Sequence, residues 1–301
     1  MWHLLPGTGA AMKKLEEMNL VDDFLAYSLT VHKTYGEEAS RYILECILQR
    51  RIRHLTVMPQ KTWYGEGPGK HGIRLDIYLD EEDGEIFDME PDRNHISEDM
   101  GTLPRRARFY HAKIDAGILA AGEGYEKLRN VVVIFITTYD PFGRDRMLYT
   151  VRNGCVEAPD LPYEDGARTI FLYTKGTEGN PPEDLRLLAR YMEHSVAENA
   201  QSEGLARLHK MVSEVKADRE VGLAYMKSVE IEQMIRVEGK AEGKAEGKAE
   251  SILMLLGEKG LVPARIRQAV QTQQDMDVLN AWLLLAARVE NVVQFEEQAG
   301  F

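Results

Sequence analysis

The chain has 301 residues, 44% of them hydrophobic, two cysteines and a formal net charge of −12. That length allows one large domain with an appendage and a full core, and no apolar run reaches membrane-spanning length. The acidic balance counts against a protein that binds nucleic acid over its whole surface, and Cys46 and Cys155, far apart and without metal spacing, read as reduced thiols of a cytoplasmic protein.

Residues 1–13 lack the charged start and long apolar stretch of a secretory signal. Met12-Lys13-Lys14 looks the more natural start, which makes the preceding residues an arm. Apolar spacing predicts a helix over 14–30, with Asp22 or Asp23 capping a second piece, and a firmer amphipathic helix over 37–52. Leu55 to Met58 reads as a short strand ending at Pro59, and the Trp63–Gly69 cluster as a turn, since its glycines do not open a helix as a phosphate loop would.

The stretch that follows organises the chain. Ile73, Leu75, Ile77 and Leu79 alternate with polar residues, and so do Phe87 and Met89 after the acidic turn Asp80–Glu85, which predicts a β-hairpin of half-buried strands. Apolar partners must share a face, which requires the three-residue loop Glu82–Gly84. That register pairs Glu81 with Glu85, Asp76 with Glu90 and Arg74 with Asp92. Opposed carboxylates repel, so this face either splays into water or holds a divalent cation such as Mg²⁺, which takes one or two carboxylates plus waters and substrate phosphate.

Pro104 opens a helix running to about Ala121, with Ala107, Tyr110, Ile114, Ile118 and Leu119 as its buried stripe and Arg105, Arg108 and His111 or Lys113 towards the other side. The run Val131–Ile136 reads as a strand buried on both faces, and strands follow at 147–151 and 169–173. The order of elements fits a mixed sheet flanked by helices. From Pro181-Pro182 onward the pattern is helical. The four-residue repeat of Glu-Gly-Lys-Ala over 238–250 stacks like charges at i, i+4 and carries three glycines. It reads as a solvated linker, with an oligomerisation stem as the alternative.

The Gly72–Tyr78 run, the acidic turn, Glu90, the segment Leu103-Pro104-Arg105-Arg106-Ala107-Arg108-Phe109-Tyr110-His111 and the later Tyr139-Asp140-Pro141-Phe142-Gly143 resemble the PD-(D/E)XK nuclease family transposases, the recombination-promoting nucleases. The resemblance covers about residues 15–180. It implies an α/β (α+β) fold, a restriction-endonuclease-like mixed sheet flanked by helices, over 14–180. A helical extension (181–237), the repeat (238–250) and a small helical cap (251–301) would follow.

It also implies a Mg²⁺- or Mn²⁺-dependent endonuclease acting on double-stranded DNA in recombination or transposition. Asp76 and Glu90 would hold the metal, and Asp92 stands where the family has Lys or Gln. Asp92 could serve as a further ligand or base, with Lys113 as a substitute cation. Arg74, Arg105, Arg106, Arg108 and Lys113 are the candidate DNA contacts. Glu45, on the second helix, reads as a surface residue, with an accessory place at the metal as the alternative. Pro91 and Asp92 keep a second reading open, a nuclease fold that binds DNA or protein without cutting. No membrane partner is implied, and the C-terminal helices are a candidate surface for homo-oligomer formation.

Overall fold

The structure is a computed structural model that describes residues 13–59, 62–63, 73–74, 77–81, 84–93 and 101–301. The N-terminal arm, the turn cluster after Trp63, the polar loop before Gly101 and Asp76 therefore lie outside the described residues. The chain divides into two compact units, one ending at Tyr225 and one running from Met226 to Phe301.

The first unit opens with α1 (Asp23–Thr30) and α2 (Gly36–Leu48). The expected first helix is interrupted after a 3-10 turn at Leu15–Glu17, and Asp22 is the residue before the new start. The strands β1 (Leu55–Pro59), β2 (Thr62–Trp63), β3 (Ile73–Arg74), β4 (Ile77–Glu81) and β5 (Ile86–Asp92) lead to α3 (Leu103–Ile118). Then come β6 (Val131–Thr137), β7 (Leu148–Arg152), β8 (Ala167–Tyr173), α4 (Glu183–Glu193) and α5 (Glu203–Ala217).

Among the described residues, six strands form one mixed sheet in the order β1-β4-β5-β6-β8-β7, with β5, β6 and β8 parallel and the rest antiparallel. The expectation of a mixed sheet flanked by helices is met. The β-branched run of β6 is buried along its whole length at the centre. One sheet face carries the larger core, where Ile77, Leu79, Phe87 and Met89 meet residues of α1, α2, α4 and α5. The other face carries a smaller core, where Tyr78, Ile86, Val133, Phe135 and Phe171 meet Leu103, Ala107 and Ile114 of α3. Leu185, Leu188, Leu205 and Leu208 of α4 and α5, which the sequence reading placed in a helical extension, are buried in the sheet's own core.

Two sequence expectations are corrected. The strand expected to run unbroken over 73–79 is divided: β3 pairs with β2 in a separate two-stranded sheet, which sets Arg74 opposite Thr62 and not opposite Asp92. The hairpin strands are not half-buried, since all of β5 is buried and β4 nearly so; α3 covers the face that alternation leaves to solvent. The repeat 238–250, read as a solvated linker or a stem, lies inside α6 (Arg219–Gly257).

The helices α7 (Ala264–Thr272), α8 (Met276–Arg288) and α9 (Val292–Ala299) follow α6. Ala245, Ala249, Ile252 and Leu256 of α6 pack with Ile266, Val270, Leu279, Ala286 and Phe295 as the core of the second unit. Helix ends here are set by local chemistry, as at α8, where the Asp275 carboxylate accepts from the backbone N–H groups of Asp277 and Val278. Among the described residues no helix is long and apolar enough to cross a membrane.

Candidate active site on the central strand

The register argued from sequence is the one observed over the described pairs. Ile77 faces Met89, Tyr78 faces Asp88, Leu79 faces Phe87 and Asp80 faces Ile86. The turn closes as a three-residue loop requires, with Glu81 N–H donating to Glu85 O (3.1 Å) and Gly84 N–H to Glu81 O (2.9 Å). Asp76, the expected partner of Glu90, lies outside the described residues.

Alternation along β5 sends its odd-numbered side chains to the larger core and its even-numbered ones, Asp88, Glu90 and Asp92, to the α3 side. All three are buried: Asp88 is 0% exposed, Glu90 2% and Asp92 9%. Proline is no obstacle on this strand. Ile86 N–H donates to Asn130 O on the β6 side, so by alternation Pro91 N faces the other neighbour. There the last described pair is Ile77–Met89, and the missing donor costs the β5–β6 ladder nothing.

Arg106 bridges the two outer acids. Its Nη2 donates to Glu90 Oε2 (3.2 Å) and its Nη1 to Asp92 Oδ2 (2.8 Å). The guanidinium carbon lies 5.0 Å from the centre of the Phe135 ring and 5.6 Å from that of Tyr110, so cation–π attraction fixes the fork as well. Burial by itself would lower the Arg106 pKa; Tyr110, Glu90 and Asp92 more than offset it and hold the guanidinium above its ordinary value. Burial, then the charge of Glu90, pushes the Tyr110 phenol up. The site therefore keeps a fixed cation and a neutral phenol beside its carboxylates at any physiological pH.

Arg106 was legible as a basic residue but not as this clamp. It follows Leu103 by three and precedes Tyr110 by four, which puts it on the inward face of α3. Arg105 and Arg108 are exposed on the same helix. Lys113, the expected substitute cation, has its Nζ 5.8 Å from the Phe109 ring centre. His111 turns towards the sheet, its Nε2 3.0 Å from Thr169 Oγ1, and burial lowers its pKa. Glu45 accepts from Ile52 N–H (2.9 Å) and so ties the end of α2 to the segment before β1.

The Asp140-Pro141-Phe142-Gly143 motif is a structural corner. Asp140 accepts from Phe142 N–H (3.0 Å), Asp145 N–H (2.6 Å) and Tyr149 O–H (2.7 Å). Gly143 takes φ 67°, open to glycine at little cost, and the Phe142 ring meets Phe171 edge-on at 5.0 Å.

Among the described residues no group of three or more His, Cys, Asp and Glu side chains is arranged to hold a metal ion. What β5 offers is a row of hard carboxylate donors at two-residue spacing, of the chemical kind that Mg²⁺ and Mn²⁺ take.

Residues 33–152, which span α2 through β7, match the family model described as PD-(D/E)XK nuclease family transposase. The resemblance stated from the motifs is thus found independently over the region that holds the site. No curated protein and no solved structure gives a significant match to the chain.

Proposed function

From the match of residues 33–152 to that nuclease family, we propose that the chain is a metal-dependent endonuclease that hydrolyses phosphodiester bonds of double-stranded DNA in recombination or transposition. The observation that carries this reading is the pair Glu90 and Asp92, buried on one face of the central strand and held side by side by Arg106. Keeping buried carboxylates ionised costs several kcal/mol per ion unless charge meets them. A fold that aligns them at a strand end is arranged for a cation rather than for stability alone.

We assign Asp76 and Glu90 as the ligands of Mg²⁺ or Mn²⁺, Asp76 by its place in the sequence motif, and Asp92 as a further ligand or base. The bound ion supplies Lewis acidity towards a phosphodiester oxygen and lowers the pKa of coordinated water. Arg106 orients Glu90 and Asp92. It also places a permanent positive charge next to the position where the family carries its lysine, a charge Asp92 cannot provide. Held among Phe135 and Tyr110, that charge needs no reorganisation as negative charge develops on the phosphate. Arg105 and Arg108, exposed on α3, together with Lys113 and Arg74, are assigned to phosphates of the DNA backbone, where contacts position the duplex without reading sequence.

Nicking of supercoiled plasmid with Mg²⁺ or Mn²⁺, wild type against Asp76→Ala, tests the assignment. Nicking by the wild type alone is expected, and equal nicking by both removes Asp76 from the chemistry. One observation favours a second reading, a fold that binds DNA without cutting it. Arg106 already bonds both Glu90 and Asp92, so these acids have a partner without a metal. Salt-dependent, metal-independent DNA binding with no cleavage marks that alternative.

A further inference from the structure

The middle of α6 lies within the second unit and is bare. From Glu230 to Lys244 it has no buried residue, although it carries Ile231 (41% exposed), Met234 (58%), Ile235 (43%) and Val237 (70%). At 3.6 residues per turn, Ile231, Met234 and Ala241 fall on the same stripe, about 80° wide, as Ala245, Ala249 and Leu256. Those last three are buried in the core with α7–α9. One continuous apolar seam is thus covered at its C-terminal end and open before it. The open part, residues 226–241, is about 24 Å long, with Ile231 and Met234 as its large apolar members.

The same stretch does not sustain a helix well by itself. The repeat stacks like charges, and Gly239, Gly243 and Gly247 each cost about 1 kcal/mol against alanine. No atom of the described chain comes within 4 Å of a methyl placed on any of the three, so packing within the chain does not require glycine there.

The charges in the seam say what covers it. Lys227 and Glu238 lie on the apolar stripe. Against a parallel second copy each would meet its own kind. Against an antiparallel copy related by a two-fold axis between Glu232 and Gln233, Lys227 meets Glu238 twice, and Ile231 meets Met234. The polar face mixes Glu and Lys evenly, unlike the basic face that membrane-surface or phosphate binding requires.

We infer that the seam over residues 226–241 of α6 is a dimerisation surface, covered in solution by the same segment of a second copy running antiparallel to it. An isologous contact of this size falls below standard specific interfaces, so the dimer is weak, with a dissociation constant on the order of tens of micromolar. This inference stands apart from the nuclease reading.

Sedimentation of the full chain between about 1 and 100 µM tests it. The wild type is expected to pass from monomer to dimer over this range. Met234→Asp and Lys227→Glu should each weaken the dimer about tenfold or more, and the exchange Lys227→Glu with Glu238→Lys should restore it to within about threefold. Met254→Asp, on an exposed position off the seam (71% exposed), should leave it unchanged and reports on folding of the tail. A second measurement uses chains with Cys46 and Cys155 replaced by serine. Mixed Lys227→Cys and Glu238→Cys chains should cross-link to each other and not to themselves. A wild type monomeric throughout, a dimer indifferent to Met234→Asp, or an exchange that restores nothing overturns the proposal.

Discussion

The β4–β5 hairpin has acids at both ends, and the two ends treat them differently. Around the turn, Asp80, Glu81 and Glu85 are met by arginines from three separate places. Arg50 bonds Glu81 (2.7 Å) and Glu85 (2.9 Å), Arg129 bonds Asp80 (2.7 Å), and Arg168 bonds Glu85 (3.1 Å). The acids differ in depth, the Glu85 side chain being 20% exposed and that of Glu90 2%, whereas the arginines Arg50 and Arg106 are each 37% exposed. At the other end Asp88 and Glu90 are deeper, and Arg106 spans Glu90 and Asp92. Rim pairs share their charge with water and tie the hairpin to its neighbours at modest gain. Charges taken inside lose their hydration, so such a pair is weak evidence of added stability even though breaking it is costly. The basic residues around the hairpin therefore sit in two settings: Arg50, Arg129 and Arg168 brace the turn, and Arg106 joins Glu90 to Asp92.

The largest expected effect is on Arg106. Arg106→Met leaves two buried carboxylates without their shared cation and should cost about 3–5 kcal/mol in urea unfolding. Arg50→Met, at the rim, should cost about 1 kcal/mol. Equal losses would erase the distinction between the two ends. Next comes the contrast between Glu90→Gln and Glu85→Gln. The first should reduce metal-dependent nicking about a hundredfold or more at an unchanged or higher melting temperature. The second should leave nicking within about twofold and lower stability by about 1 kcal/mol.

A smaller effect is expected on DNA affinity. Arg105→Ala or Arg108→Ala should weaken binding uniformly across sequences and reduce the slope of log affinity against log salt by about 1. Unchanged slopes would take α3 off the DNA.

The smallest effect is on pH dependence. Burial lowers the His111 pKa, so the folded state favours the neutral ring while the unfolded chain titrates at about 6.5. Stability from this group is complete above that value and is lost as pH falls through it. His111→Gln should flatten the fall in melting temperature between about pH 7 and 5; an unaltered profile would mean that His111 does not contribute. The hairpin turn responds lower on the scale. Arg50 holds the Glu81 carboxyl below its ordinary value, so this support is present above about pH 4.3 and disappears as pH drops through the depressed folded value.

The sheet was legible where pattern and turn length constrained each other. Alternation on both sides of Asp83-Gly84 sets the β4–β5 register, and the β-branched run Val131–Ile136 announces a strand buried on both faces. The depth of Glu90 was not legible. An acid at an even position on an alternating strand looks solvated until a second helical layer is known to cover it, and α3 is contributed by residues a dozen positions later. Arg106 was obscured by its neighbours Arg105 and Arg108, although its spacing from Leu103 and Tyr110 carries the information. The glycines of 238–250 argue against a helix on local propensity, and burial of Ala245 and Ala249 against α7–α9 outweighs that preference at the C-terminal end.

The central claim is that the acids at the end of β5 hold a divalent cation. Titration of the full chain with Mn²⁺, followed by calorimetry or by the electron paramagnetic resonance of free Mn²⁺, tests it most directly. The account predicts one ion bound per chain, lost in Glu90→Gln and retained in Glu85→Gln. Equal Mn²⁺ binding by wild type and Glu90→Gln, with both folded, would contradict it.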